Sequence, residues 1–201
     1  MRISGELVYS NNLCAAFLTA IVKAFKVHHQ TAGLGPAALQ KLTYFIKLLG
    51  APVPCSFGIY TYGPYSDTVT FAIESLLADD VIQDTSTNPT YSSYDLSRNA
   101  IEILANFEGE LNPHDEHIQK AVKTLGAFNP AELQLIATLH FISQRRLRTR
   151  ATLSKDSIIA EFKTIKHSKF ADDQAIGKCH DALVEAGLIS RSHTATYHVD
   201  N

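Results

Sequence analysis

The order of apolar segments along the chain constrains its fold more than any other feature. Amphipathic stretches of helical period alternate with short β-prone stretches, and proline or glycine marks most breaks between them. The most apolar stretch, Leu13–Val27, is interrupted by Thr19, Lys23 and Lys26, so it does not reach the length of a membrane span. The sequence therefore predicts a mainly α protein with small β ribbons, of the α+β class, with no membrane partner.

Residues 1–108 predict a first module in which two helices, a short strand, a third helix and a two-stranded ribbon follow one another. Asn11 or Asn12 caps the first helix, Pro36 suits the first turn of the second, and Gly50 ends it. The remaining predicted elements are a strand at 56–62, a third helix at 65–78, ribbon strands at 81–84 and 91–96, and a fourth helix from Ser97 to Phe107. This order indicates a winged-helix arrangement in which the ribbon is the wing.

Residues 109–128 are predicted to form a linker that allows a short helix from about residue 115. A second module, 129–201, starts at Asn129-Pro130, a cap followed by a first-turn proline. Its predicted elements are helices at 131–146, 154–165 and 171–186 and ribbon strands at 188–190 and 195–199. The sequence thus predicts two winged-helix-like modules in tandem.

The spacing of the cysteines and the distribution of charge limit which cellular compartment and which kinds of partner the sequence predicts. The three cysteines, Cys14, Cys55 and Cys179, are widely spaced, which argues against a disulfide scaffold or a zinc site and favours a reducing, cytoplasmic setting. The formal net charge is −2, yet residues 1–130 carry eight basic and twelve acidic side chains and residues 131–201 carry ten and eight. The two modules are therefore expected to present different surfaces.

Two motifs resemble a known family. The helix sequence LQKLTYF at residues 39–45 is followed by YTYGPYS at residues 60–66. This pair is similar to the YwgA-like proteins and, more loosely, to the Panacea (SocA-like) antitoxin domains, over roughly residues 10–107. The resemblance implies a small bacterial or phage-borne protein of toxin–antitoxin or phage-defence loci that neutralises a partner toxin or acts as an adaptor.

The segment around the second motif has two interpretations. In the first, proline and glycine turn the chain into the third helix, Ser66-Asp67 supplies a capping oxygen, and the aromatics pin a strand to the core. In the second, tyrosines on one face of a strand form a recognition surface, since tyrosine is a common interface anchor. The candidate partner-binding residues are Tyr60, Tyr62, Gly63, Pro64, Tyr65, Ser66 and Asp67.

Charge argues against DNA binding by the first module. A winged helix usually places its third helix in the major groove, and affinity for DNA depends on lysine and arginine. No basic residue lies between Lys47 and Arg98, while this interval holds six acidic residues. We therefore expect the first module to bind a protein with a basic face.

The second module offers a candidate nucleic-acid surface. The sequence RRLRTR at 145–150 concentrates four positive charges, and a lysine lies close by. It is either a solvated basic loop or a patch that contacts phosphates or an acidic partner. The candidate residues are Arg145, Arg146, Arg148, Arg150 and Lys155.

Catalytic patterns are sparse. His114 and His117 have ligand-type side chains but stand in the predicted linker, and HExxH, P-loop, GxSxG and GxGxxG patterns are missing from the sequence. We expect no cofactor, no metal and no enzymatic activity. The sequence thus predicts a binding protein, antitoxin-like or a regulatory adaptor, with a DNA-binding transcriptional regulator as the alternative and a homodimer left open.

Overall fold

Helices make up most of the protein, and two short antiparallel ribbons accompany them. The computed structural model describes residues 7–166 and 172–189. The α+β class predicted from the sequence is confirmed at this level. Along the described ranges, every helix is too short or too polar to cross a bilayer.

The helices and strands follow one another in the order α1, α2, β1, β2, α3, β3, β4 and α4 to α9. The bounds are α1 Leu13–His28, α2 Pro36–Leu48, β1 Gly58–Tyr60, β2 Gly63–Tyr65, α3 Asp67–Ala78, β3 Ile82–Asp84, β4 Tyr94–Leu96, α4 Ala100–Asn106, α5 Glu108–Leu111, α6 Asp115–Leu125, α7 Pro130–Arg148, α8 Lys155–Lys166 and α9 Asp173–Glu185. A short 3-10 turn, Asn112–His114, joins α5 to α6.

Cα proximity divides the chain into two compact units. The first comprises residues 1–58 and 64–133, and the second comprises residues 59–63 and 134–201. The division after Leu133 falls within the first turns of α7, close to the predicted start of the second module at residue 129.

Helix α1 forms the centre of the first core. Asn12 caps it as predicted, because its Oδ1 accepts a 3.0 Å hydrogen bond from the Ala15 amide. Phe17, Leu18 and Ile21 are fully buried, and α2, α3, α4 and α6 all pack against this helix. The apolar spacing that indicated this helix in the sequence is therefore the spacing of its buried face.

The ribbon of the first unit has the predicted position. Strands β3 and β4 are antiparallel, with Ile82 opposite Leu96 and Asp84 opposite Tyr94. The Tyr94 amide also donates a 2.9 Å hydrogen bond to the Leu34 carbonyl, so the segment between α1 and α2 lies along the outer edge of β4.

Ser97, predicted to cap the fourth helix, has a different partner. Asn99 is the N-cap of α4, and the Ser97 Oγ donates a 2.7 Å hydrogen bond to Asp80 Oδ1. The Ser97 hydroxyl thus joins the segment before α4 to Asp80, and α4 begins two residues later than a Ser97 cap would place it.

Residues 109–128 contain the short helix that the sequence allowed from about residue 115, which is α6, and the rest of the predicted linker is also largely helical and packed. Leu111, Ile118, Ala121 and Val122 are buried members of the first core. These residues are spaced as on one face of a helix. In the sequence, however, the many polar residues of this segment, together with Gly109 and Pro113, favour a linker. Pro113 is accommodated because it stands in the first turn of the 3-10 segment, where no helical N–H bond is required.

The second unit contains the predicted three helices. Asn129 caps α7 through 3.0 Å bonds from the Ala131 and Glu132 amides, and Glu132 Oε2 accepts in return from the Asn129 amide, which is a capping box. Asp172 caps α9 through Ala175, and the Ser154 Oγ accepts from the Ser157 amide at the start of α8.

The predicted second ribbon lies mostly outside the described residues. Leu188 and Ile189 follow α9 in a bend rather than in a strand. The predicted strand 195–199, like residue 190, falls beyond the described range.

Candidate interaction surfaces

The YGPYS segment lies on a hairpin rather than on a single strand and a turn. Gly63 and Pro64, predicted to form the turn, belong to β2, and the bend of the hairpin is Thr61-Tyr62. Gly63 has φ +88°, a left-handed conformation that other residues adopt at a cost. Tyr60 ends β1 and Tyr62 stands in the bend, so the predicted alternation along one strand stops between them.

The two motifs of the first unit bind each other. Gln40 Nε2 donates a 2.9 Å hydrogen bond to the Ser66 carbonyl, and the Ser66 amide donates a 3.0 Å bond to Gln40 Oε1. One side-chain amide thus pairs both backbone groups of Ser66, as a neighbouring strand would. Gln40 Nε2 also donates to Thr70 Oγ1, which donates to the Tyr65 hydroxyl.

Lys41 adds a charged member to this network. Its side chain is 3% exposed, and Nζ donates a 3.0 Å hydrogen bond to the Pro64 carbonyl. A buried ammonium group costs several kcal/mol unless it is hydrogen-bonded, so the bond to Pro64 helps the fold to tolerate Lys41 and holds the Pro64 carbonyl in place. We call Gln40, Lys41, Pro64, Ser66 and Thr70 the motif lock.

Ser66 does not cap α3 in the way the sequence predicts. It stands at the N-cap position, but its side chain makes no capping hydrogen bond. Its Oγ is buried, and its backbone is bonded to Gln40 instead. The Ser66 backbone therefore bonds to Gln40, 26 residues away, while the Ser66 side chain makes no capping bond.

The motif lock separates the seven candidate residues into two groups. Pro64 is buried and bonded to Lys41, and Ser66 is buried and bonded to Gln40. Tyr65 is half-buried. Tyr60 and Tyr62 are 54% and 69% exposed, and Asp67 is exposed as well. The sequence places buried and exposed residues in one short segment and does not indicate which residues are buried.

Two buried thiols lie near the lock, and neither is poised for chemistry. Burial raises the pKa of Cys14 to about 12, and the neighbouring Cys55 adds to the effect. Burial also raises the pKa of Cys55, although the Lys47 ammonium and the Ser66 hydroxyl oppose it. A thiol nucleophile needs a lowered pKa, so both cysteines behave as small core residues.

Most acidic residues between Lys47 and Arg98 are used by the fold. Asp79 accepts hydrogen bonds from the Tyr9 amide and from the amide and hydroxyl of Ser10. Asp80 forms an ion pair with Arg98 at 2.5 Å, and Asp95 forms one with Lys26 at 3.2 Å. Asp84 accepts hydrogen bonds from the Ser86 and Ser93 amides. Among the contacts of the described residues, only Asp67 and Glu74 of this interval have no ion pair or side-chain hydrogen bond.

The basic cluster of the second unit is partly neutralised from within. Arg145 and Arg146 both form ion pairs with Glu161, and Arg146 Nε donates to the Thr152 carbonyl. Lys155 pairs with Asp181 at 2.6 Å. These three candidate residues therefore hold α7, α8 and α9 together.

Arg148 and Arg150 remain as the outward-facing part of that cluster. Both are exposed, and neither forms an ion pair with an acidic residue in the ranges 7–166 and 172–189. Arg150 has φ 54°, so the chain turns sharply after α7. Of the four arginines that lie close together in the sequence, two face solvent without a counterion among the described residues.

The histidines of the first unit bind helices to one another. His28 Nε2 lies 2.8 Å from Gln119 Oε1, and His29 Nε2 lies 2.9 Å from the Val122 carbonyl. The rings of His114 and His117 are 6.0 Å apart, and their Nδ1 atoms are buried without hydrogen-bond partners. Among the described residues, no three histidine, cysteine or carboxylate side chains are grouped as metal ligands.

In comparisons with known proteins, no family model and no curated protein matches the chain.

Proposed function

We propose that this protein is a non-enzymatic binding protein that docks a protein partner on the exposed part of its YGPYS segment. One observation carries the proposal. The motif lock fixes Pro64 and Ser66 in the core, while the adjoining Tyr60 and Tyr62 stay more than half exposed. Exposed tyrosines next to a rigidly held segment suit binding, because little conformational freedom is lost when they are covered.

The proposed architecture of the first unit is a winged helix. The order α1, α2, α3, β3, β4 supports it, with the hairpin β1–β2 as an insertion before α3. The hydrogen bond from the Tyr94 amide to the Leu34 carbonyl also supports this architecture, since it places the segment before α2 beside β4, in the position of a third strand. For the second unit the proposal rests on α7, α8 and α9 alone.

A protein partner fits this unit better than DNA. The third helix would face the groove in a DNA complex, and its exposed residues include Asp67 and Glu74 but no lysine or arginine. Phosphate groups would meet only negative charge there. The proposed setting is cytoplasmic, and the resemblance to YwgA-like and Panacea proteins supports an antitoxin-like or adaptor role in a toxin–antitoxin or phage-defence context.

Capture of the partner tests this proposal. The full chain is immobilised and offered the products of the flanking genes, and bound proteins are identified, purified and titrated back. We expect a Tyr60→Ala/Tyr62→Ala variant to lose the partner that the unaltered chain retains. Tyr91→Ala is the matched control, because Tyr91 is a tyrosine of similar exposure, 71%, on the loop between β3 and β4.

Equal retention by the double variant, or no partner for the unaltered chain, contradicts the proposal.

A second candidate function, binding of nucleic acid by the second unit, is supported by Arg148 and Arg150. Two exposed arginines without a counterion are the part of the basic cluster that phosphates could neutralise. Arg148→Gln/Arg150→Gln should abolish retardation of duplex DNA at low salt, whereas Lys120→Gln/Lys123→Gln, on exposed positions of α6, should not. Failure of the unaltered chain to retard DNA removes this candidate.

A further inference from the structure

The solvent face of α3 combines an exposed aromatic ring with two unpaired carboxylates. Val69, Ala72, Ile73 and Leu76 are the buried residues of this helix. Asp67, Phe71 and Glu74 stand four and three residues apart, which places them in one stripe on the opposite face. Phe71 is 64% exposed.

The fold itself does not account for this stripe. Phe71 leaves most of its ring in water, where it contributes little to the core. Asp67 in the first turn gains from the helix dipole, but Glu74 lies in the second half of the helix, where a negative charge gains nothing from it. The residues at helical spacing around Glu74, which are Thr70, Phe71, Leu77 and Ala78, offer it no positive charge.

The electrostatic surroundings leave these two carboxylates available to a partner. The four other acidic residues of the interval between Lys47 and Arg98 are bonded within the unit, to Tyr9 and Ser10, to Arg98, to Lys26 and to the loop after β3. The interval contains no lysine or arginine that could reach α3 from its own neighbours. Among the described residues no ion pair reaches Asp67 or Glu74, so a positively charged ligand could supply their counterion.

We propose that the Asp67–Phe71–Glu74 face of α3 binds a basic amphipathic helix of the protein partner. This inference rests on the proposed function and deepens it by naming the chemistry of the partner. Asp67 and Glu74 are seven residues apart, or about 10 Å along the helix axis. A partner helix with lysine or arginine seven residues apart, and a leucine or other apolar residue between them, matches both charges and the ring.

The expected interaction has two separable parts. Burial of the Phe71 ring against the apolar side chain provides most of the affinity, as aromatic anchors do at interfaces. The two ion pairs at the edge of the contact provide orientation and sensitivity to salt. Substitution of the ring and of the carboxylates should therefore produce different signatures.

The probe for the test is a labelled synthetic helix with lysines seven residues apart and leucines between them. Its binding to the full chain is followed by fluorescence anisotropy at low and at moderate salt. We expect Phe71→Ala to weaken binding about tenfold, and Glu74→Gln to weaken it about threefold and to reduce its salt dependence. A peptide with glutamate in place of lysine should bind the unaltered chain far more weakly.

Matched controls are Tyr91→Ala and Glu102→Gln, which remove an exposed ring and an exposed carboxylate from other parts of the same unit. The inference is overturned if the basic peptide does not bind, or if the controls weaken its binding as much as Phe71→Ala and Glu74→Gln.

The natural partner separates failure of this inference from failure of the proposed function. If a captured partner is lost by Tyr60→Ala/Tyr62→Ala but retained at full affinity by Phe71→Ala, the binding function holds and the α3 face is not its site. Loss of the partner in the Phe71→Ala variant, with the Tyr91→Ala control unaffected, supports the inference.

Discussion

The motif lock in the first unit and the basic cluster in the second are both dense polar groups, but their burial makes them physically different. In the first, Gln40 and Lys41 are 3% exposed and bond to the backbone of Pro64 and Ser66. In the second, Arg145 and Arg146 meet Glu161 near the surface, with 43% and 18% of their side chains exposed. Buried polar groups are costly to leave unpaired, whereas exposed ion pairs contribute little.

The comparison shows which part of each group is available to a partner. In the lock, removal of the Gln40 side chain would leave the buried Ser66 amide without that partner, so Gln40 serves the fold. In the basic cluster, the paired arginines serve the fold weakly, and within the described ranges only Arg148 and Arg150 of the cluster face solvent without a counterion. Residues that look alike in a motif therefore divide by burial and pairing.

Gln40→Ala should have the largest effect on stability. It leaves the Ser66 amide buried without that partner and removes one of the two hydrogen bonds to the Ser66 carbonyl, which also accepts from the Thr70 amide. We expect this loss, together with the space left by the side chain, to lower the free energy of unfolding by about 2–4 kcal/mol. Urea unfolding followed by circular dichroism measures it. Gln83→Ala is the control, because Gln83 is an exposed glutamine that donates to the Leu96 carbonyl at 3.4 Å. A similar small loss in both variants would show that the lock does not stabilise the first unit.

His140 extends the test of burial to the second unit. Desolvation lowers the pKa of His140 to about 4 from an ordinary 6.5. The unfolded chain therefore binds a proton before the folded one does, and stability should fall as the pH falls from about 6.5 to about 4. We expect the melting temperature of His140→Leu to change less with pH over this interval, because the variant lacks a pH-dependent cost of about 3 kcal/mol at pH 4. A profile as steep as that of the unaltered chain would contradict a neutral, buried His140.

Asp79, in the first unit, should also make stability fall as the pH falls, but because the fold stabilises its charged form. Burial raises the pKa of its carboxyl, but hydrogen bonds from Ser10 and Tyr9 together outweigh burial and lower it from 3.8. A carboxyl with a lowered pKa stabilises the fold above its unfolded pKa and stops doing so as the pH falls through its folded pKa. Asp79→Asn should therefore cost about 1.5–2 kcal/mol at pH 7 and almost nothing in strong acid.

Unfolding at the two pH values measures this difference. Glu102→Gln is a matched control, because Glu102 is an exposed carboxylate of the same unit. An Asp79→Asn penalty that persists unchanged in acid would contradict the assigned hydrogen bonds.

Glu161→Gln should have the smallest effect, although it removes the partner of two arginines. Ion pairs near the surface contribute less than about 1 kcal/mol and are screened by salt. Thermal unfolding at low and at moderate salt should show a small difference that shrinks as salt is added. A salt-independent loss as large as that of Gln40→Ala would remove the contrast between the two groups.

The sequence predicts what neighbouring residues determine. Asn12 and Asn129 cap their helices as expected, because the cap acceptor and the amide that it bonds are only three residues apart. The start of α2 at Pro36 follows from the geometry of proline in a first helical turn. These local rules led to the helix order and to the α+β class.

What the sequence does not predict is set by contacts between distant positions. The bond between Gln40 and Ser66 joins residues 26 apart, and the Ser66 side chain makes no capping bond. The strand at Gly63–Tyr65 is missed because Gly63-Pro64 is typical of a turn. The pairing of Arg145 and Arg146 with Glu161 likewise depends on how α7 and α8 pack, which spacing alone does not reveal.

The most direct test of the account measures the binding and the stability of one variant. Tyr60→Ala/Tyr62→Ala is titrated calorimetrically with the captured partner, and its free energy of unfolding is measured in parallel. The account predicts at least tenfold weaker binding with stability within about 0.5–1 kcal/mol of the unaltered chain, since both side chains are mostly exposed. Unchanged affinity, or a loss of affinity explained by unfolding, would contradict the claim that the YGPYS segment is anchored by Pro64 and Ser66 and binds through its tyrosines.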